Sequence, residues 1–232
     1  MVPGLLMFVL AAAAPDTATG AVAETAAMAA ARANRAAMKA PPVFKSGPEA
    51  EFPEGAREAG EFGKAIVSGI VGADGRMTEA SIALSTRSAR LDAAALAAAQ
   101  ASLFDPARDA AGTAIAVPVR MPFEFSNAKG PGKGGGVLRY RCDQVVRDYD
   151  WWYATWPADA HDDFYLMTLG FSMIAKSRTA KGELDPSAMG KVNRDFDERW
   201  RAAVETCRKT PERLFIDVLK PEGELLRHLG GG

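Results

Sequence analysis

Side chains able to do chemistry are scarce in this sequence of 232 residues, which holds two His and two Cys. Asp159, His161, Asp162 and Asp163 are the one cluster with the donor types of a cation site. Its place just ahead of a helical segment suits capping and the helix dipole equally well, and capping is the expected role. His228, with Glu222 and Glu224 nearby, reads as an exposed residue. The run Lys133-Gly134-Gly135-Gly136 has the composition of a phosphate cradle. It lacks the Gly-Lys-Ser/Thr ending, and no buried strand leads into it. No Ser/His/Asp set or nucleophile elbow is present. The inventory predicts a binding protein and no enzyme, with neither metal nor cofactor.

Cys142 and Cys207 are the remaining reactive pair. The apolar run Leu5 to Ala14 is as long as a signal-peptide hydrophobic region, with a small-residue cleavage site either at its end, Ala11-Ala12-Ala13, or after it, Ala21-Val22-Ala23. No Lys or Arg precedes the run. The expectation is export to the periplasm with residues 1–23 as the signal peptide, and inner-membrane association if the segment is not cleaved. In an oxidising compartment the two cysteines pair by default. In a simple up-down-up bundle they would lie roughly 25 Å apart at 1.5 Å per residue, beyond disulfide reach. A Cys142–Cys207 bond therefore requires another path, either a return along Thr179 to Asp185 or a steep helix crossing.

The elements that would position these residues fall into two halves. Residues 1–126 carry 11 basic and 13 acidic groups and the remainder 17 and 16, so neither half has the basic excess that nucleic-acid binding needs. Residues 24–40 are Ala-rich and helix-prone, with Met28 and Met38 their large apolar side chains, and read as a tether ended by Pro41-Pro42. Residues 127–136 form a Gly-rich linker.

Between tether and linker, residues 41–126 read as helix, β-hairpin, helix and strand. A short polar helix is predicted over Glu54 to Ala59. Lys64 to Val71 and Met77 to Ser85 flank Gly72-Ala73-Asp74-Gly75, whose residues suit a hairpin loop. Asp92 is placed to cap a helix reaching about Leu103, with Leu96, Ala99 and Leu103 on one stripe. Thr113 to Phe125 alternates strictly, as a half-buried strand does. Residues 137–232 switch to helical period and predict a separate all-α domain. Cys142, Val145, Tyr149, Trp152 and Trp156 share one face, and Met189, Val192, Phe196, Trp200, Ala203 and Cys207 another. Asp162 would cap the apolar segment Phe164 to Ile174, Asp185-Pro186 would open the following helix, and Pro211 and Pro221 would start two short ones. Trp151 and Tyr153 point away from the first face and could line a binding surface.

Phe52-Pro53-Glu54-Gly55-Ala56, then Gly60 and Gly63, Asp74-Gly75-Arg76-Met77 and Leu91 to Leu96 occur in order on these elements. Phe104-Asp105-Pro106-Ala107, Gly112 and Val117-Pro118-Val119-Arg120-Met121-Pro122-Phe123 complete the series. The series resembles the C-terminal domain of the TonB family of energy transducers. The resemblance implies an α+β fold with a three-stranded antiparallel sheet. It also implies a periplasmic module that grips outer-membrane receptors by pairing an edge strand with an extended segment of the partner. In that family an inner-membrane anchor couples the grip to a proton-driven motor. The expected partner-binding residues are Ala114, Ala116, Pro118 and Arg120 on the last strand. Pro118 and Pro122 lack N–H groups and sit on the same edge, where they guard against aggregation. The same strand offers a route to a homodimer. The alternative expectation is a soluble envelope adaptor that keeps this fold and binds another partner through its helical half.

Overall fold

The computed structural model describes residues 24–127 and 136–230, so the expected signal peptide lies outside the described residues. The N-terminal segment forms α1 (Ala26–Ala37), β1 (Met38–Ala40) and β2 (Val43–Ser46). Then come β3 (Gly63–Val71), β4 (Met77–Leu84), α2 (Ala89–Gln100), β5 (Leu103–Asp105), β6 (Ala107–Asp109), β7 (Ala114–Ile115) and β8 (Val117–Phe125). The main sheet is antiparallel in the order β4-β3-β8. Two small sheets, β1-β6-β7 and β2-β5, tie the N-terminal segment to the rest. The segment Glu54 to Ala59, expected as a short helix, is a series of turns that runs on to Gly60.

The hairpin closes where the sequence places turn residues. Gly75 has φ +77°, and Asp74 Oδ1 accepts a hydrogen bond from the Arg76 N–H at 3.0 Å. On one face of β3, Ala65, Val67 and Val71 are fully buried, and Leu91, Ala95 and Ala99 of α2 share their cluster. Small residues on α2 let it approach the sheet closely. Ser88, rather than Asp92, caps α2: its Oγ accepts from the Leu91 N–H. Asp92 sits inside the first turn and instead binds Ser85 Oγ (2.5 Å) and Thr86 N and Oγ1 (each 2.8 Å). Leu103, placed on the helix stripe by periodicity, belongs to β5 and is 36% exposed.

The Ala-rich helix is docked, contrary to the tether reading. Thr25 Oγ1 donates to Glu79 of β4 (2.5 Å), and Asn34 Nδ2 donates to the Ala116 carbonyl (3.0 Å). α1 therefore spans from one edge strand to the foot of the other, packs on β8, and buries Ala31. A polar residue at each end secures a helix whose sequence lacks a conventional apolar stripe.

The second half contains α3 (Cys142–Thr155), α4 (Tyr165–Ala180), α5 (Met189–Cys207), α6 (Phe215–Val218) and α7 (Glu222–Gly230). Cys142 opens α3, Cys207 closes α5, and the two are disulfide-bonded with Cα atoms 4.8 Å apart. The bond forms because α3 and α5 meet start to end, the alternative path that the spacing required. The start of α3 is pinned further: the N–H groups of Cys142 and Asp143 donate to the carbonyls of Arg213 (2.7 Å) and Pro211 (3.0 Å). Trp200, Phe164, Phe196 and Phe215 are the largest wholly buried side chains. Gly170 makes room for Trp200, whose ring lies 3.2 Å from where a Cβ would stand.

The halves share a core. Phe62, just before β3, stacks on Trp152 at 5.4 Å and meets Trp151 at 5.4 Å and Phe164 edge-on at 5.7 Å. Asn127 Nδ2 donates to the Glu61 carbonyl while its side chain also hydrogen-bonds Asp148 of α3, and the Arg87 guanidinium lies over Trp156 at 5.3 Å. Among the described residues, no helix is long and apolar enough to cross a membrane.

Candidate strand-pairing site

β8 pairs with β3 residue for residue from Gly63↔Phe125 to Val71↔Val117, without a bulge. β4, the opposite edge, is irregular: its register with β3 shifts twice, and Glu79 has φ +50°. A bulged edge twists away from partners and a regular one accepts them, so β8 is the better template.

The prolines show which way the backbone of β8 points. Within an antiparallel strand the N–H and C=O of one residue face the same side, and ladder-bonded pairs alternate. Pro118 and Pro122, opposite Ile70 and Ile66, cannot donate to β3. The odd-numbered residues therefore make the ladder. The carbonyls of Pro118, Arg120, Pro122 and Glu124 and the N–H groups of Arg120 and Glu124 face the free edge. Arg120, Pro122 and Glu124 are exposed. The edge offers four acceptors and two donors, a restricted but usable pairing surface.

The expected long strand Thr113 to Phe125 is broken at Ala116. Ala114 pairs with Arg108 in the small sheet, and the Ala116 carbonyl already accepts from Asn34. Of the four residues expected to meet a partner, Pro118 and Arg120 stand on the open edge, while Ala114 and Ala116 have intramolecular partners. A one-residue interruption between two alternating runs leaves no mark on periodicity, which explains the difference.

Beside this end of β8, a groove of about 910 Å³ lies between α1 and the sheet. Arg32, Arg35 and Arg120 line it together with Met28, Met38 and Pro118. Arg32 forms an exposed ion pair with Glu24 at 2.9 Å. At the other end of β8, a pocket of about 450 Å³ opens between the halves, walled by Phe62, Phe125, Trp152, Tyr165 and Leu169. Lys64 and Glu124 also line it. Sequence reasoning missed both hollows because each joins elements distant in the chain. Arg32 and Arg35, three apart on one helix, were the signal available for the first.

The other sequence candidates have structural roles. His161 Nε2 lies 2.9 Å from the Trp156 carbonyl, and the ring stacks on Tyr153 at 4.0 Å. Asp162 accepts from Arg201 Nη2 at 2.9 Å and does not cap α4, whose N-cap is Phe164 with no side-chain hydrogen bond. Among the described residues, no group of three or more His, Cys, Asp or Glu is arranged to hold a metal. Trp151 packs on Phe62 and Tyr153 stacks on Tyr149 at 4.1 Å, so both half-buried rings, which could have lined a binding surface, have packing partners within the molecule. His228 is exposed in the last turn of α7.

One polar centre was not foreseen. Asp148, 1% exposed, accepts from Tyr140 Oη (2.9 Å) and from Arg147 Nε (2.9 Å) and Nη2 (2.8 Å). Burial raises its pKa above the usual carboxylate range, opposed by Arg147, and burial also raises that of Tyr140. Asn127 also hydrogen-bonds the Asp148 carboxylate, so the cluster braces α3 and ties it to the chain just past β8.

No curated protein matches the chain. A family model does match, over residues 48–126, about a third of the chain, and it begins after α1, β1 and β2 and stops before the helical half. Its description is Gram-negative bacterial TonB protein C-terminal, so the segment that builds α2 and the sheet ending in β8 is similar to that domain.

Proposed function

We propose that this is a periplasmic, non-enzymatic binding protein that captures an extended segment of an outer-membrane receptor on β8, in support of energised transport across the outer membrane. The observation that carries the reading is the nine-residue, bulge-free register of β8 at the sheet edge, with its outward backbone groups left for a partner. Strand addition draws affinity from main-chain hydrogen bonds and specificity from alternate side chains. The match to the TonB C-terminal family model supports the transport context.

The test is a titration of isotope-labelled full-length protein with a receptor-type extended peptide, followed by NMR. Shifts concentrated on Arg120, Glu124 and their β8 neighbours are expected. A flat titration of folded protein, or shifts confined to β4, would refute the reading.

A further inference from the structure

The open edge of β8 runs between two cavities of opposite character. At the Pro118–Arg120 end, the groove contains three guanidinium groups and no acidic side chain. Arg35 and Arg120 have no ion pair among the described residues. Uncompensated arginines around one hollow favour an anionic occupant, and their planar donors suit a carboxylate. At the Glu124–Phe125 end, the exposed wall is mostly apolar, supplied by Phe62, Phe125, Trp152, Tyr165 and Leu169 of both halves, with Lys64, Glu124 and Asp163 also lining it. Such a cavity favours a large apolar side chain.

The two hollows open on one face. Side chains alternate along β8 and β3, so Pro118, Arg120 and Glu124 share a face with Ser68 and Lys64, and each hollow is lined by members of that set. A strand laid along β8 puts every second side chain on the same face. Positions opposite Pro118 and Glu124 are six residues, about 20 Å, apart. We infer that the segment captured by β8 is read at both ends, by an acidic side chain in the arginine groove and a large apolar side chain four to six residues away in the pocket between the halves. Either strand direction satisfies this spacing. The inference rests on the strand-pairing reading above. It adds roles to α1 and to the helical half, both outside the TonB match.

The test uses four fluorescent Thr/Val decapeptides titrated into full-length protein by anisotropy. One carries Glu and Phe six positions apart. The others carry Gln for Glu, Ser for Phe, or both changes. The doubly anchored peptide is expected to bind about tenfold tighter than the one lacking both anchors. The Glu contribution should shrink at high salt and vanish in an R35Q/R120Q variant, whose substitutions are exposed, while the Phe contribution persists. Four equal affinities would overturn the inference and leave strand pairing standing, and a loss confined to one anchor would overturn its two-ended form. No binding by any peptide to folded protein would refute strand pairing and this inference together.

Discussion

Glu61 holds the turn segment to the sheet domain through three short contacts. Oε2 accepts from Ser88 Oγ (2.5 Å) and Arg90 Nε (2.8 Å), and Oε1 accepts from Arg90 Nη2 (2.5 Å). The Arg90 hydrogen bond lowers its pKa against the opposing effect of burial. A carboxylate whose folded pKa lies below its unfolded one contributes stability above the ordinary value near 4.5, and that contribution is lost as pH falls through the folded value. E61Q should therefore cost about 1 kcal/mol at neutral pH, with the gap to wild type closing in acid. Denaturant titrations across that range check this, and a gap that widens in acid would contradict it. The disulfide belongs to the same scale. It closes a loop of 65 residues, for which the chain-entropy model gives roughly 4 kcal/mol. A C142S/C207S variant should lose most of that stability in thermal melts, and the loss should match that of reduced wild type. A variant as stable as wild type would mean the α3–α5 contact suffices alone.

At the scale of elements, β8 balances exposure against self-association. Two of its four outward residues are prolines, so a second copy pairing edge to edge would find half of the usual donors missing. P122A restores one donor at an exposed position and should shift the protein toward a dimer through β8, measured by light scattering across a concentration series. Unchanged mass at every concentration would show that the prolines do not set the oligomeric state. The hairpin, the alternation in β8, the helical faces around Trp200 and the TonB motifs were all legible because each is a local pattern. The docking of α1 was not, since it rests on Thr25 and Asn34, two polar residues without a periodic signature. The buried Asp148 was equally hidden. A carboxylate on a helix reads as solvent-facing until Tyr140 and Arg147 are seen beside it. For the candidate site, strand identity and the two prolines could be read in advance. The break at Ala116 and the hollows at either end could not, because they arise from α1 and from the helical half.

At the scale of the whole molecule, one aromatic side chain carries most of the apolar contact that joins the two halves. Phe62 leaves the sheet domain at the root of β3 and enters the aromatic core of the helical half, where it is 5% exposed. It is therefore part of the fold of both halves, and excising residues 41–126 would strand it in water along with the face that α1 covers. Truncating a buried Phe to Ala costs about 3–5 kcal/mol through lost burial and the cavity left behind. Here the cost falls on the junction. The disulfide-stapled helical core keeps its own Trp200 and Phe196 packing, and the sheet keeps α2. F62A should thus split one cooperative calorimetric transition into two, with the sheet domain melting first because it lacks a disulfide. The same variant should weaken capture of the Phe-bearing peptide, since Phe62 walls the pocket at the end of β8, and should leave the Glu contribution at the arginine groove intact. A single transition merely lowered in temperature would mean that Asn127 and Arg87 hold the halves together without the plug. A peptide affinity unchanged by F62A would place the apolar anchor somewhere other than the shared pocket.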